Sequence, residues 1–164
     1  MQPSILIAGV GNIFHGDDAF GSEVARRLAQ TPLLPEVRVV DFGIRGHDLA
    51  FALQEDFDAV ILIDVAQRRR PPGALGVIQL PPNGPSGEPT IGNIDTHAVH
   101  PMQVLGFLDA HGCKTPPIWL VACEPATFGP DEGHMGLSEP VAAAIPEAVT
   151  IVKSLLERLV SRDE

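Results

Sequence analysis

Two adjacent aspartates, Asp17 and Asp18, end a glycine-rich turn in the stretch GVGNIFHGDDAFG, which spans residues 9–21. A turn of this kind after a strand can bind a phosphate, because the N-terminus of the next helix attracts anions. A dinucleotide fingerprint requires a third glycine, however, at the place where this sequence has Phe14. Two carboxylates there would also repel a phosphate. We therefore interpret the aspartates as cation-binding or helix-capping residues.

Two further acids stand at the ends of predicted strands. Asp64 lies near the carboxyl end of AVILIDV, residues 59–65, and Glu124 follows IWLVAC, residues 118–123. An acid in such an apolar strand is costly to bury unless a cation or several hydrogen bonds meet it. Ligands of open parallel sheets bind beyond the carboxyl ends of the strands, so these acids and Asp18 are expected at one edge. The alternative is that Asp64 caps nearby backbone amides.

A histidine could complete this acidic edge. His97 and His100 occur in the stretch DTHAVHPMQVLGFL, just before a predicted helix. Two carboxylates with one or two imidazoles form a site that suits nickel, zinc, manganese or iron. A lone histidine is more often a surface or capping residue, and both interpretations stay open at this point.

Predicted strands alternate with predicted helices along the chain, and we treat residues 1–164 as a single domain. This alternation predicts an α/β fold, a three-layer sandwich with a mainly parallel central sheet of about five strands flanked by helices. The strand near residues 73–80 is expected at an edge or antiparallel, because the loop before it is too short for a crossover helix. Ser138 is a candidate N-cap of the last helix, in which Pro146 either forms a kink or begins the longer part.

The composition excludes several classes of function. Eleven basic residues against 21 acidic ones give a formal charge of −10, which argues against nucleic-acid binding. The one basic run, Arg68–Arg70, is interpreted as a solvated loop or a docking site for an acidic partner segment. We find no apolar run of membrane-spanning length and no signal peptide. Cys113 and Cys123 have no CxxC spacing, which favours a reducing, cytoplasmic location.

Several stretches of the chain resemble the ordered motifs of the hydrogenase maturation endopeptidases. They are GVGNIFHGDDAFG, DFGIRGHDLAFAL, VILIDVA, DTHAVHPMQVL, CEPATFG and HMGLSEPV. The resemblance covers about residues 5–155. Members of that family trim the C-terminal extension from the large subunit of nickel–iron hydrogenases. The resemblance therefore implies a monomeric endopeptidase that acts on a nickel-loaded large-subunit precursor.

The resemblance also implies a metal site formed by Asp18, Asp64 and His97. The family often has glutamate where this chain has Asp18, so the carboxylate here reaches one methylene less far. His97 is preferred to His100 because its distance to the following helix matches the family's register. The metal would be nickel supplied by the precursor, and other divalent metals could substitute for it. Our hypothesis is that the metal polarises the scissile carbonyl or a water, and that Asp17 or Asp18 handles a proton.

The rest of the predicted site concerns the peptide substrate. Asp41, Gly43 and Gly46 are expected to shape the substrate cleft, although tight-turn geometry explains them equally well. The chain has no GxSxG or HExxH motif. An alternative function is a nickel-sensing escort protein that holds the cation at the same residues without cutting. A nucleotide-binding enzyme is a further alternative, which the residues of the first turn disfavour.

Overall fold

The structure is a computed structural model that describes residues 2–80 and 101–162. Its centre is a five-stranded sheet of strand order β2-β1-β3-β5-β4. The strands are β1 (Ile5–Val10), β2 (Val37–Gly43), β3 (Ala59–Val65), β4 (Leu75–Gln79) and β5 (Ile118–Cys123). A short 3-10 helix, Gly16–Ala19, precedes α1 (Phe20–Ala29), and the later helices are α2 (Gly46–Ala52), α3 (Pro101–Ala110) and α4 (Glu139–Ser161).

The sheet reverses its winding direction at β1, and this is the feature that creates a binding edge. β1 pairs in parallel with β2 on one side and with β3 on the other, and β3 pairs in parallel with β5. A crevice forms beyond the carboxyl ends of strands at such a switch point. β4 is antiparallel to β5 and lies at the edge of the sheet. The predicted α/β fold and the predicted edge position are both confirmed.

Helices cover both faces of the sheet, as a three-layer architecture requires. α1 and α4 pack with one face of the strands in one apolar core, and α2 and α3 pack with the other face in a second core. Every residue of β1 is buried, and β3 is buried from its first residue to Asp64. This two-sided burial explains why both strands are continuous apolar runs in the sequence.

α1 lies unusually close to the strands near the switch point. A Cβ on Gly21 of α1 would overlap the carbonyl oxygens of Val10 and Ile63, and a Cβ on Gly9 would overlap the carbonyl of Gly21. The absence of side chains at these positions lets the helix start directly above β1 and β3. The residues just before α1, including Asp18, are thereby held over the carboxyl edge of the sheet.

The C-terminal helix differs in part from the expectation. α4 is one continuous helix of 23 residues, Glu139–Ser161, and Pro146 lies inside it. Ser138 does occupy the N-cap position, but its side chain makes no capping hydrogen bond. Among the described residues, no helix is long and apolar enough to cross a membrane.

The close contact of α1 predicts a strong effect of Gly21→Ala. We expect the free energy of unfolding to fall by about 1–3 kcal/mol, because the added methyl group meets backbone atoms that cannot move aside cheaply. Urea unfolding followed by circular dichroism measures the change.

Gly106→Ala is the matched control, because a methyl group added to this helical glycine would meet no atom within 4 Å. We expect that variant to be neutral or more stable by about 0.5–1 kcal/mol, since alanine favours the helix. An equal loss of stability in both variants would contradict the packing explanation.

Candidate functional site

Asp18 and Asp64 come together at the carboxyl edge between β1 and β3. The Asp18 carboxylate accepts a hydrogen bond from the backbone N–H of Asn12 at 2.9 Å. Asp64 is only 7% exposed, and its carboxylate accepts the backbone N–H of Val65 at 2.8 Å. Burial raises the pKa of Asp64 well above its ordinary value, and the negative charge of Asp18 raises this pKa further. The structure thus brings together the two acids that the sequence placed at one edge.

This pair fits the oxygen half of a cation site. Two neighbouring carboxylates disfavour each other's ionised form, and a divalent cation between them would favour it in both. In the described part of the chain, the only hydrogen bond found to the Asp64 carboxylate is the one from Val65. His97 and His100 lie outside the described residues, so the choice between them stays a prediction. Within residues 2–80 and 101–162, no group of three potential metal ligands is found.

Asp17 has a different environment from its neighbour. It is fully buried, and its carboxylate accepts hydrogen bonds from the backbone N–H groups of Ala126 (2.7 Å), Thr127 (3.0 Å) and Ser138 (2.7 Å). The hydroxyl of Ser138 donates a fourth hydrogen bond at 2.8 Å. Burial alone would raise the pKa of Asp17, but these hydrogen bonds outweigh it and lower the pKa. Asp17 is therefore an ionised acid whose contacts hold the fold together.

The backbone reinforces the connection that Asp17 makes between the β1–α1 loop and the β5–α4 loop. The N–H of Asp17 donates to the carbonyl of Thr127 at 3.0 Å, and that of Gly16 donates to the carbonyl of His134 at 2.9 Å. The N–H of His134 donates in turn to the carbonyl of Phe14 at 2.7 Å. We call this set of contacts, together with the Asp17 carboxylate, the loop clamp. It supports the turn that carries Asp18.

The loop clamp corrects two expectations from the sequence. The helix-capping interpretation is wrong for Asp17, because its carboxylate bonds the distant β5–α4 loop, and the N-cap residue of α1, Ala19, makes no side-chain capping hydrogen bond. The Ser138 hydroxyl, which looked like an N-cap of α4, donates to Asp17 instead. No local pattern could signal this pairing, since 121 positions separate the two residues.

Asp41 and Gly43 shape the turn that follows β2. One oxygen of the Asp41 carboxylate accepts the Ser22 hydroxyl at 2.7 Å and the backbone N–H of Gly43 at 3.0 Å. Gly43 adopts a φ of +55°, which favours glycine, and its carbonyl accepts the N–H of Gly11 at 3.0 Å. These contacts favour the turn-geometry interpretation for both residues, and direct contact with a substrate stays a prediction.

Gly46 lines a groove between α2 and α3 that opens beside this turn. The groove has a volume of about 500 Å³ and a mainly apolar lining. Ile44 and Phe107 are 50% and 58% exposed, which is unusual for large apolar side chains. The full lining is Ile44, Arg45, Gly46, His47, Asp48, Ala50, Gln103, Val104 and Phe107. A groove of this shape and polarity can receive apolar side chains of a peptide.

Glu124 is the third acid of the carboxyl edge, but it has other partners. It is 8% exposed, and its carboxylate accepts the backbone N–H of Arg68 at 2.7 Å. Its own backbone N–H donates to the carbonyl of Ala74 at 2.9 Å. Glu124 thus binds the loop between β3 and β4, a contact that no pattern in the sequence predicts.

An open, mainly parallel sheet with paired acids at its switch point defines an α/β protein with a candidate site at the carboxyl edge. Comparison with known families identifies the group. Residues 22–155 match the sequence profile described as hydrogenase maturation protease. The chain belongs to the hydrogenase maturation protease family, and this membership supports a peptidase activity.

Individual relatives agree with the family assignment over nearly the whole chain. The coenzyme F420 hydrogenase subunit delta of Methanothermobacter thermautotrophicus is 28% identical, over 90% of this chain and 91% of that protein. The solved hydrogenase maturating endopeptidase HybD of Escherichia coli is 27% identical, with a TM-score of 0.75 over 96% of this chain and 93% of that one. A hydrogenase 2 maturation peptidase from a Thaumarchaeota archaeon is 31% identical, with a TM-score of 0.70 over 93% and 97%.

The loop clamp predicts that Asp17→Asn destabilises the protein. The amide group would place N–H donors against the N–H groups that now bond the carboxylate, so we expect a loss of about 1–3 kcal/mol in the free energy of unfolding at neutral pH. Because the folded-state pKa of Asp17 is lowered, its contribution is present above the unfolded value of about 3.9 and is lost as the pH falls through the folded pKa.

The difference in the free energy of unfolding between wild type and Asp17→Asn should therefore become smaller in acid, as measured by urea unfolding across a pH series. Asp109→Asn, at an exposed position near the end of α3, is the control and should leave the stability unchanged. If the difference in the free energy of unfolding between wild type and Asp17→Asn stayed constant down to acid pH, this would contradict the conclusion that Asp17 is ionised.

Asp64→Asn should have the opposite effect in metal-free buffer. The folded-state pKa of Asp64 is raised, so the folded protein binds this proton more tightly than the unfolded chain. The free energy of unfolding of the wild type therefore falls as the pH rises from about 3.9 towards the folded pKa. We expect Asp64→Asn to be more stable than wild type at neutral pH and equally stable in acid. Thermal unfolding with a chelator present tests this, and a less stable variant at neutral pH would contradict it.

Proposed function

We propose that this protein is an endopeptidase that removes the C-terminal extension of a nickel–iron hydrogenase large-subunit precursor after nickel insertion. The observation that carries the proposal is the acid pair Asp18 and Asp64 at the switch-point edge, in a chain of the maturation protease family. This pair would be the part of the protein that meets the precursor's metal.

Nickel enters this proposal as part of the substrate, bound to the precursor. Asp18 and Asp64 would each offer a carboxylate oxygen to it, and His97 an imidazole nitrogen. Contact with the cation would offset the burial and the mutual repulsion that raise the pKa of Asp64. A precursor without nickel would leave that repulsion in place. The acid pair therefore supplies a physical reason for discrimination between the two precursor states.

Asp18 is the better candidate for the proton-handling role. The Asp17 carboxylate is buried and accepts four hydrogen bonds from the protein. Asp18 is partly exposed at the edge where a peptide would pass. Its carboxylate would accept the proton of a water that attacks the scissile carbonyl and deliver it to the leaving amine. Asp17 would support this step by fixing the turn through the loop clamp.

The groove between α2 and α3 would receive the peptide chain next to the cleavage site. Its mainly apolar lining suits aliphatic or aromatic side chains of an extended segment. Gly46 contributes to this lining, and the turn of Asp41 and Gly43 leads into it. In the cleft predicted around these residues, Gly46 would thus line the groove directly, whereas Asp41 and Gly43 would shape the turn beside it.

A non-catalytic escort protein is the second candidate. One relative of similar length is named as a hydrogenase subunit rather than as a protease. In this version, the same acids and His97 hold the nickel-loaded precursor and no peptide bond is cut.

Mass spectrometry of the precursor tests both candidates. The precursor is incubated, with and without nickel, with the wild type and with Asp18→Asn. We expect loss of a C-terminal peptide in the reaction of the wild type with nickel-loaded precursor. We expect Asp18→Asn to reduce the rate at least about 100-fold, in line with the loss of a general base.

Asp109→Asn is again the control, and its cleavage rate should equal that of the wild type. An unchanged precursor mass with a stable, nickel-dependent complex would replace the protease by the escort. Equal cleavage of nickel-free and nickel-loaded precursor would contradict the role of the metal in recognition.

A further inference from the structure

The loop between β3 and β4, residues 66–74, carries the arginine run Arg68–Arg70, and we call it the basic loop. It leaves β3 directly after Asp64 and Val65 and then passes the carboxyl end of β5. The arginines therefore stand at the same edge of the sheet as the acid pair. None of the roles assigned above uses them.

The basic loop is anchored by hydrogen bonds at both ends. At its start, the N–H of Ala66 donates to the carbonyl of Cys123 at 3.0 Å, and the backbone N–H of Arg68 donates to the buried Glu124 carboxylate at 2.7 Å. At its end, the N–H of Gly73 donates to the carbonyl of Glu124 at 2.8 Å. The position of the arginines is thus set by the strands of the sheet.

The three arginines divide into one packed side chain and two exposed ones. The Arg68 guanidinium lies over Gly76 of β4, in space that a Cβ at that position would occupy. Arg69 and Arg70 are exposed. Arg69 also has a φ of +58° and is the only non-glycine residue with positive φ in the described part of the chain. The loop therefore presents two exposed arginines that are adjacent in the sequence.

Unlike three of the other arginines, these two side chains have no acidic partner within the described part of the protein. Arg26, Arg38 and Arg45 each lie within 3.5 Å of a carboxylate. Across residues 2–80 and 101–162, no carboxylate is found within 4 Å of Arg69 or Arg70. In a chain with a formal charge of −10, two exposed arginines without an acidic partner are positive groups that an acidic ligand could bind. Guanidinium groups bind carboxylates with two parallel hydrogen bonds, which gives such a site a definite preference.

From these observations we propose that Arg69 and Arg70 bind carboxylate groups of the precursor's C-terminal extension and hold it across the acid pair. The inference rests on the proposed function, and it names the chemistry of the substrate that the site selects. The carboxylates come either from acidic side chains of the extension or from its terminal α-carboxylate. Without the arginines, the acidic protein would repel both.

The test compares the double variant Arg69→Ala/Arg70→Ala with the wild type in cleavage of nickel-loaded precursor. We expect KM to rise about 3- to 30-fold with kcat within about twofold, because the arginines contact the extension and not the reacting atoms. The effect should shrink as salt is added, since the contacts are exposed. An unchanged KM, or a fall in kcat alone, overturns the proposal.

The control is Arg27→Ala/Arg158→Ala, which removes the same charge from exposed positions in the last turns of α1 and α4. Both helices run back from the carboxyl edge, so these arginines lie towards the opposite edge of the sheet. The control should keep the wild-type KM at all salt concentrations. An equal rise of KM in the control would overturn the proposal, because it would show an effect of net charge alone.

A binding experiment separates this inference from the proposed function. A labelled synthetic peptide of the extension is titrated with wild type and both double variants by fluorescence anisotropy, which needs no cleavage. Weaker binding by the Arg69/Arg70 variant supports the proposal even if the precursor is never cut, and equal binding by all three proteins overturns it. A peptide with an amidated C-terminus and one with its acidic side chains changed to amides identify the source of the carboxylate.

Discussion

The buried carboxylate of Asp17 is the interaction on which the site depends most. A charged group without exposure to water is unfavourable in a protein unless hydrogen bonds replace its hydration. Here four donors do so, and all four come from the β5–α4 loop or the first residue before α4. The electrostatic requirement of a single side chain thus joins the first and last connections of the sheet. The turn that carries Asp18 is fixed as a consequence.

For the acid pair Asp18 and Asp64, the balance between burial and stabilising contacts is the reverse of that at Asp17. Asp64 lies at the end of a fully apolar strand, and its pKa is raised by burial and then by the charge of Asp18. Such an arrangement lowers stability in the isolated protein, and a cation bound between the two acids would make it favourable. Asp17 and Asp18, which are adjacent in the sequence, therefore have contrasting roles. Asp17 is surrounded by hydrogen-bond donors, whereas Asp18 faces a second acid, Asp64. Perturbed acids of this second kind are typical of functional sites.

Much of the fold and part of the site were predictable from the sequence, and the reasons are physical. The bounds of β3 and β5 were predicted to the residue, because strands buried on both faces are continuous apolar runs. The proximity of Asp18 and Asp64 followed from the rule that parallel strands present their carboxyl ends at one edge. The partners of Asp17 and Glu124 were not predictable, because backbone amides carry no residue-type signal. The structure alone shows which loops supply them.

Three of the four hydrogen bonds to Asp17 come from backbone N–H groups. A backbone donor is present whatever side chain a non-proline residue carries, so the hydrogen bonds from Ala126 and Thr127 to Asp17 do not depend on the side chains of these two residues. The β5–α4 loop is for this reason free to exchange its outward residues while its course over the sheet is preserved. Phe128 and Met135 are large apolar side chains that are exposed on this loop. Because the contacts that fix the loop are mostly made by its backbone, its exposed side chains can change while the turn that carries Asp18 keeps its support.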